Sequence, residues 1–275
     1  MRTCERLSFM LATISGIIAV ALYLLGTWFQ SQSLFNDKET RNLVLGTGGI
    51  ALVAHLINVV EVINTSAGYN FGFFKIATLF SFAICALVLI SSLKKPLENL
   101  LLAIFPIAVI SILFALYVPS SYIPQSGYTA GLATHIVLAI LATSIITIGA
   151  VQAMFMAYQN QQLKQGHHFR LIRHMPPLQT MESLLFEIVW VGLVLLSGVI
   201  VTGILFTDDF LGQHLSHKTV FSIGSWIVFA VLLLGRYQAG WRGATAIRWT
   251  LTGFAFLILA YFGSKFVLEL ILNRT

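Results

Sequence analysis

The sequence places two histidines, His55 and His135, inside long apolar segments. Ionisable side chains are costly within a membrane, so they usually face the interior of a helix bundle. Neutral imidazole is a common ligand of transition metals, and two helices of a bundle can present imidazoles to one metal group. The pair therefore predicts a buried cofactor site, with the alternative that each histidine only hydrogen-bonds a neighbouring helix.

The composition of the chain predicts a polytopic membrane protein. Of its 275 residues, 57% are hydrophobic and 9% are charged, and the mean hydropathy is +0.87. Eight apolar segments approach the roughly 20 residues that cross a bilayer as a helix. They cover residues 8–30, 42–63, 71–93, 99–118, 129–158, 180–206, 218–240 and 245–271.

Helices are the expected form of these segments, because the alternating pattern of membrane barrel strands is absent. The first segment exceeds the apolar part of a secretion signal and no A-x-A-like cleavage site follows it, so we expect it to persist as a helix. The predicted fold class is all-α, an eight-helix transmembrane bundle. We expect residues 1–275 to form one integral membrane domain, with helices 1–4 in residues 1–127 and helices 5–8 in residues 128–275.

The basic residues predict an orientation, because Lys and Arg accumulate in short cytoplasmic loops. Ten of the sixteen lie in or beside the loops after helices 1, 3, 5 and 7: Lys38, Arg41, Lys94, Lys95, Lys164, Arg170, Arg173, Arg236, Arg242 and Arg248. Loops 64–70 and 119–128 carry none. This pattern places both termini outside the cytoplasm, although Arg2 and Arg6 oppose it. An anionic lipid surface accounts for the net charge of +6 without a nucleic-acid partner.

Helical spacing turns both histidines toward packing seams. At 1.5 Å per residue, His55 lies roughly 12 Å and His135 roughly 9 Å below the predicted outer ends of their helices. Small residues share the same helical faces and let membrane helices approach closely. The faces contain Gly48, Ala51, His55 and Asn58 on helix 2, and His135, Ala139, Ala142, Gly149 and Ala153 on helix 5. We therefore expect both imidazoles to face protein.

A haem group would suit such a pair, since imidazoles from two helices can occupy its axial positions. His217 lies near the same level, at the predicted outer mouth of helix 7. The haem propionates would need cations, for which the outer half offers Lys75, Lys218 and Lys265. The alternatives are that Lys75 and Lys218 are snorkelling helix-end residues and that Lys265 pairs with Glu269 four positions later.

Three other polar or aromatic features have mainly structural interpretations. The segment Gly240-Trp241-Arg242-Gly243 predicts a tight turn and an interface anchor between helices 7 and 8. Glu182 is expected to meet the positive end of the helix 6 dipole. Trp226 could flank a flat cofactor, with core packing as the alternative.

The sequence offers little support for catalysis. Cys4 and Cys85 are isolated, without a C-x-x-C pair or the C-x-x-C-H motif of covalent haem attachment. Nucleotide-binding loops, zinc-protease motifs and nucleophile elbows are also missing, so we do not expect an enzyme. Two other classes remain open. A secondary transporter, or an accessory subunit of a transport complex, would use Glu61, Lys265 and the histidines as a polar pathway, and a structural partner would serve a larger membrane complex.

Several segments, mostly in the second half, carry a family resemblance. They are THIVLAILATSIITIGAVQAMFMAYQNQQLK (134–164), MPPLQTMESLLFEIVWVGLVLLSGVIVTG (175–203), HKTVFSIGSWIVFAVLLLGRYQAGWRG (217–243) and LAYFGSKFVLELIL (259–272), with LVAHLINVVEVI (52–63) as a weaker match. Together they resemble the cytochrome c assembly protein family. The likeness points to its HemX-like and YpjD-like branch, which is related to the CcsA haem-handling proteins.

The resemblance implies an eight-helix protein of the bacterial inner membrane that binds haem non-covalently and works with other cytochrome-maturation or membrane-complex proteins. Histidines in membrane helices and outer loops ligate haem in this family. His135 corresponds to one of them, and His55 and His217 match less closely. The tryptophan-rich W-G-x-x-W-x-W-D signature of haem-delivery members is missing, since the loop before helix 7 reads TDDFLGQHLSH. The resemblance therefore implies haem binding or haem homeostasis more strongly than haem delivery.

Overall fold

The computed structural model describes residues 2–36, 38–65, 68–120, 129–165, 175–206 and 216–263, without the side chains of residues 2–6, 216–217 and 262–263. Within these ranges the chain is almost entirely helical. The helices are α1 (Arg2–Asn36), α2 (Arg41–Ile63), α3 (Phe73–Ser92), α4 (Leu101–Tyr117), α5 (Ala130–Lys164), α6 (Leu178–Phe206), α7 (Ser216–Ala239) and α8 (Ala244–Ile258). A 3₁₀ turn, Glu98–Leu100, precedes α4, and a π-helical turn, Leu259–Gly263, continues α8.

The short connection between α2 and α3 contains a two-stranded hairpin. Strands Asn64–Thr65 and Gly68–Tyr69 pair antiparallel, with Asn64 opposite Tyr69 and Thr65 opposite Gly68. The backbone N–H of Asn70 then donates a hydrogen bond of 2.8 Å to the carbonyl of Ile63. This hairpin closes the end of the α2–α3 pair.

The eight described helices are each long and apolar enough to cross a membrane. The predicted all-α membrane fold is therefore confirmed, whereas the orientation of the termini stays a prediction. Hydropathy located the apolar parts of the helices but not their full lengths. Helix α1 runs through Asn36, beyond the predicted end at residue 30, because residues 31–36 are mostly polar but include no proline or glycine that would end a helix. The predicted eighth segment extends to residue 271, and its last part lies outside the described residues.

The chain divides into two compact units. Of the described residues, those up to 120 and residue 175 belong to the first unit, and those from 129 to 165 and from 176 to 263 belong to the second. In the first, α1 packs against α2 and α4, and α3 packs against α2 and α4. In the second, α5 packs against α6 and α8, and α7 packs against α6 and α8. Each unit is thus a four-helix arrangement with the same order of neighbours, and the single domain expected from the sequence stays a prediction.

In the first unit, the small-residue face of α2 is buried as predicted. Gly48, Ala51, His55 and Asn58 all lie in the interior. A Cβ atom at Gly48 would come within 2.8 Å of the Phe105 ring of α4. The Phe105 ring also lies 5.0 Å from the ring of the fully buried Tyr23 of α1. The seam on α2 therefore allows three helices to meet around His55.

In the second unit, the predicted seam of α5 is buried along only part of its length. Ala142, Gly149 and Ala153 are buried, whereas His135 and Ala139 are partly exposed. Large side chains of all four helices form the hydrophobic cluster of this unit, including Met156, Leu185, Phe229 and Ile247. We call the end that carries residues 240–243 the turn end and the opposite end, with residues 129–141, the open end.

A carboxylate joins three segments at the turn end. Glu182 Oε1 accepts a hydrogen bond of 3.0 Å from Arg236 of α7, and its Oε2 accepts one of 2.9 Å from the backbone N–H of Gly243. Gly240 and Gly243 have φ angles of 64° and 52°, which glycine adopts without a Cβ clash. The guanidinium of Arg236 also lies 4.6 Å from the centre of the Phe186 ring. The connection between the last two helices, where the sequence predicted an anchor, is therefore held to α6 by the ion pair of Glu182 and Arg236.

We expect Glu182→Ala to destabilise the protein by about 2 kcal/mol, because it leaves a partly buried guanidinium and a backbone N–H without their carboxylate acceptor. Thermal unfolding in detergent micelles measures the change. Glu39→Ala removes an exposed carboxylate and serves as the control, with an expected effect within about 0.5 kcal/mol. Equal effects of the two variants would contradict a stabilising role for the Glu182 contacts.

Candidate functional site

His55 lies in a closed polar cluster within the first unit. It is fully buried, its Nδ1 lies 3.2 Å from the Tyr23 hydroxyl of α1, and its Nε2 lies 2.9 Å from the Thr78 hydroxyl of α3. A neutral imidazole has one donor nitrogen and one acceptor nitrogen. One hydroxyl therefore donates to the ring and the other accepts from it, so both ring nitrogens are used.

Aromatic rings complete the enclosure of His55. The ring of Phe82 meets the imidazole edge-on at 5.6 Å, and the ring of Tyr23 does so at 5.7 Å. One turn along α2, Asn58 Nδ2 donates 2.8 Å to the carbonyl of Ala12. These contacts link α2 to α1 and α3. In this arrangement a metal could reach His55 only if one of its hydrogen bonds were broken.

His135 has a different environment in the second unit. Its Nδ1 lies 3.1 Å from the hydroxyl of Thr202 on α6. The Thr202 hydroxyl has a single hydrogen, which it donates to the carbonyl of Gly198 at 2.7 Å, with Val199 O at 3.2 Å as a second acceptor. The hydroxyl oxygen must then accept from His135, which places the imidazole proton on Nδ1.

The second nitrogen of His135 is therefore an acceptor. Among the residues that the structure describes, no donor contacts Nε2. An unprotonated imidazole nitrogen is the form that binds a metal, and a hydrogen bond from the other nitrogen fixes both the tautomer and the ring orientation. The geometry of His135 and Thr202 is that of an oriented ligand.

The open end around His135 is loosely enclosed. None of residues 129–141 is buried, although they begin a long membrane helix, and the buried residues of α5 start at Ala142. On the neighbouring helix, Ser197 accepts a hydrogen bond of 2.8 Å from the indole N–H of Trp226. Trp226 also packs against the hydrophobic cluster of this unit, so the cluster reaches this level of the helices without burying residues 129–141.

The other predicted site residues fall in three groups. Lys75 lies in the first unit with His55, and Lys218 lies in the second with His135. The backbone of His217 is helical but its side chain is outside the described residues, as is the whole of Lys265. In the described part of the chain, no group of three or more His, Cys, Asp or Glu side chains could hold a metal ion. Any metal group held by protein at His135 would thus depend on few side-chain ligands.

The hydroxyl partners of both histidines, Tyr23, Thr78 and Thr202, were not predicted from the sequence. The two threonines lie in apolar helices, where such a hydroxyl commonly bonds to its own backbone. Which hydroxyl is the partner depends on which helices are neighbours, and the spacing of residues within one helix does not contain this information. Only the tertiary arrangement shows which hydroxyl meets which imidazole.

The fold and these contacts define a class: a multi-pass, all-helical membrane protein in which hydrogen bonds between helices hold buried side chains such as His55 and partly buried ones such as His135. Residues 43–272 match the Cytochrome C assembly protein family. The chain belongs to that family. No solved structure matches the chain significantly.

Two relatives illustrate the range of the match. The inner membrane protein YpjD of Escherichia coli K12 is 30% identical over 264 residues, which cover 95% of this chain and 98% of the relative. Protein HemX of Brevibacillus brevis is 24% identical over 160 residues, which cover 54% of this chain and 59% of the relative. The predicted family and the predicted membrane localisation are confirmed by these matches together with the eight spans.

If the imidazole of His55 is hydrogen-bonded to Tyr23, the changes in unfolding free energy caused by substitutions at the two positions should not be additive. We expect a coupling free energy of roughly 0.6–1.7 kcal/mol between Tyr23→Phe and His55→Leu, the range of interhelical hydrogen bonds in membranes. Equilibrium unfolding of the two single variants and the double variant measures it. Ser15→Ala on the same helix, where the hydroxyl bonds only to backbone carbonyls, should combine additively with His55→Leu. Additivity for Tyr23→Phe would contradict the bond.

Proposed function

We propose that this chain is a haem-binding membrane protein that assists cytochrome c assembly or haem homeostasis as a non-catalytic chaperone, scaffold or regulator. The observation that carries the proposal is the hydrogen bond between His135 Nδ1 and Thr202. Within the described residues, it leaves Nε2 of a membrane-embedded imidazole with a lone pair and no hydrogen-bond partner, in a family associated with cytochrome c assembly.

The chemistry of the second unit fits a haem. An oriented imidazole is a standard axial ligand of haem iron, and the flat apolar macrocycle needs space between helices. Residues 129–141 provide partly exposed side chains around His135. Trp226, fixed by its bond to Ser197, supplies an aromatic surface in the same unit.

His55 contributes differently under this proposal. Both of its nitrogens are already hydrogen-bonded, so we assign it a structural role, and His135 would hold the haem iron. His217 lies in the first turn of α7 in the same unit as His135 and is our candidate for a second residue that would hold the iron. Lys218, next along α7, and Lys265 are the candidates for partners of the propionates.

Held in this way, haem supplies an iron centre, while the chain supplies the imidazole, the hydrogen bond that orients it and an apolar surrounding. The segment 207–217 lacks the tryptophan-rich signature associated with haem delivery. We therefore propose that the protein retains or senses haem and leaves its delivery to a partner of the maturation system.

Haem content of the purified protein tests the ligand assignment. After expression in haem-replete cells, the wild type should show a Soret band, and His135→Ala should retain less than about a tenth of the haem, since loss of a ligand contact costs at least about 1.4 kcal/mol. Added imidazole should restore the band in His135→Ala, which separates lost ligation from misfolding. His55→Gln is the matched variant and should keep its haem. Absence of haem from the wild type, or full occupancy in His135→Ala, would refute the proposal.

The role of Thr202 can be tested separately. Thr202→Val keeps the shape but removes the acceptor for His135 Nδ1, and we expect haem affinity to fall about 10–100-fold, as for other residues that orient a metal ligand. The optical and electron paramagnetic resonance spectra of the ferric protein should change with it. Thr202→Ser should behave as wild type. Thr134→Val removes a neighbouring hydroxyl that bonds only to the carbonyl of Ala130, and an equal loss in that variant would argue against orientation by Thr202.

A further inference from the structure

A cavity of about 330 Å³ lies in the first unit, and its lining residues include none of Tyr23, His55 and Thr78. The start of α3, the end of α4 and the segments beside them form its wall. The lining residues are Asn70, Lys75, Ala115, Leu116, Tyr117, Val118, Pro119 and Ser120. The set contains one cation and no acidic residue, although most of its other members are apolar.

The side chains of Lys75 and Ser120 give the cavity two hydrogen-bond donors for a ligand. Lys75 is partly buried, and the part of the chain that the structure describes contains no carboxylate in contact with its ammonium group. The oxygen of Ser120 already accepts a hydrogen bond of 3.3 Å from the backbone N–H of Phe74, so its remaining hydrogen can donate. An ammonium and a hydroxyl hydrogen at an apolar cavity suit an oxyanion, and they disfavour a cation.

Close backbone contacts fix the wall that carries Ser120. A Cβ atom at Gly72 would lie 2.6 Å from the carbonyl carbon of Ser120, so only glycine permits this approach. The N–H of Gly72 in turn donates 3.0 Å to the side-chain oxygen of Asn70, which is 5% exposed. The two segments are thus held together independently of any ligand.

The surroundings of the cavity match the boundary between membrane and water. Tyr69 and Tyr117 beside it are 52% and 65% exposed, and tyrosine concentrates at the level of lipid headgroups. Along α4, the exposed side chains of Ile110 and Phe114 continue from the cavity into the apolar part of the helix. A ligand with a charged head and an apolar tail could place its head at the cavity and its tail along the exposed apolar side chains of α4.

We propose that this cavity binds the headgroup phosphate of an anionic phospholipid, with Lys75 and Ser120 donating to the phosphate oxygens and the acyl chains lying along α4. This site is separate from the proposed haem ligand His135 and would exist with or without haem. The site would give the first unit a preference for anionic lipid at this end of its helices.

Lipid binding to the full-length, delipidated protein tests the proposal. Native mass spectrometry in detergent, titrated with phosphatidylglycerol, should show one lipid of higher affinity than the remainder, and phosphatidylcholine should not give this step. Lys75→Gln should weaken that step about tenfold, the expected effect of losing a charge-assisted hydrogen bond. Ser120→Ala should weaken it less, and serves as the second variant if Lys75→Gln does not fold. Lys94→Gln at the opposite end of α3 removes an exposed lysine and should leave the step unchanged.

Three results would overturn the proposal. The first is wild-type affinity for phosphatidylglycerol in both Lys75→Gln and Ser120→Ala. The second is displacement of the lipid by millimolar inorganic phosphate, which would identify a site for a free anion. The third is loss of haem from Lys75→Gln with unchanged lipid binding, which would assign the lysine to haem. Haem content is measured separately on protein from haem-replete cells, whereas the lipid titration uses haem-free protein, so failure of the haem proposal does not alter the outcome of the titration.

Discussion

This structure depends on one constraint, the need of polar side chains within membrane helices for hydrogen-bond partners. A bilayer interior provides no water for an unpaired polar group, so a polar side chain in a membrane helix needs a partner on another helix or in its own backbone. In each unit, a bond of this kind joins the first two helices: Tyr23 to His55 in one and His135 to Thr202 in the other. The tightest helix pair of each unit thus carries a histidine.

The same constraint gives the two histidines different hydrogen-bond environments. Two hydroxyls saturate His55, and its hydrogen bonds fix the positions of three helices. One hydroxyl, already committed to a backbone carbonyl, engages His135 and leaves a lone pair. Burial alone would favour His55 over His135 as the candidate ligand, since His55 is fully enclosed. The number of hydrogen-bond partners favours His135 instead.

Hydropathy and helical spacing were sufficient to predict the eight spans and the buried face of α2, because both depend on a single segment of chain. The position of Gly48 shows this, since its spacing predicted a close contact that the Phe105 ring makes. The partners of the histidines depend on which helices are neighbours, and matched depth suggested one shared site. His55 and His135 belong to different units, so whether they act on one ligand stays a prediction. The proposed role of His217 and Lys265 rests on sequence, as their side chains lie outside the described residues.

In the second unit, the ion pair of Glu182 and the proposed binding site lie at opposite ends. At the turn end, Glu182 joins α6 to Arg236 and Gly243, and the hydrophobic cluster extends from Met181 near this end along the helices to Leu196 and Leu257. These contacts fix the relative positions of the four helices, so the open end does not need a dense core to hold them. Side chains at residues 129–141 can then remain partly exposed without loss of the fold. A site for a large flat ligand requires this arrangement, because a fully packed open end would leave Nε2 of His135 facing other side chains.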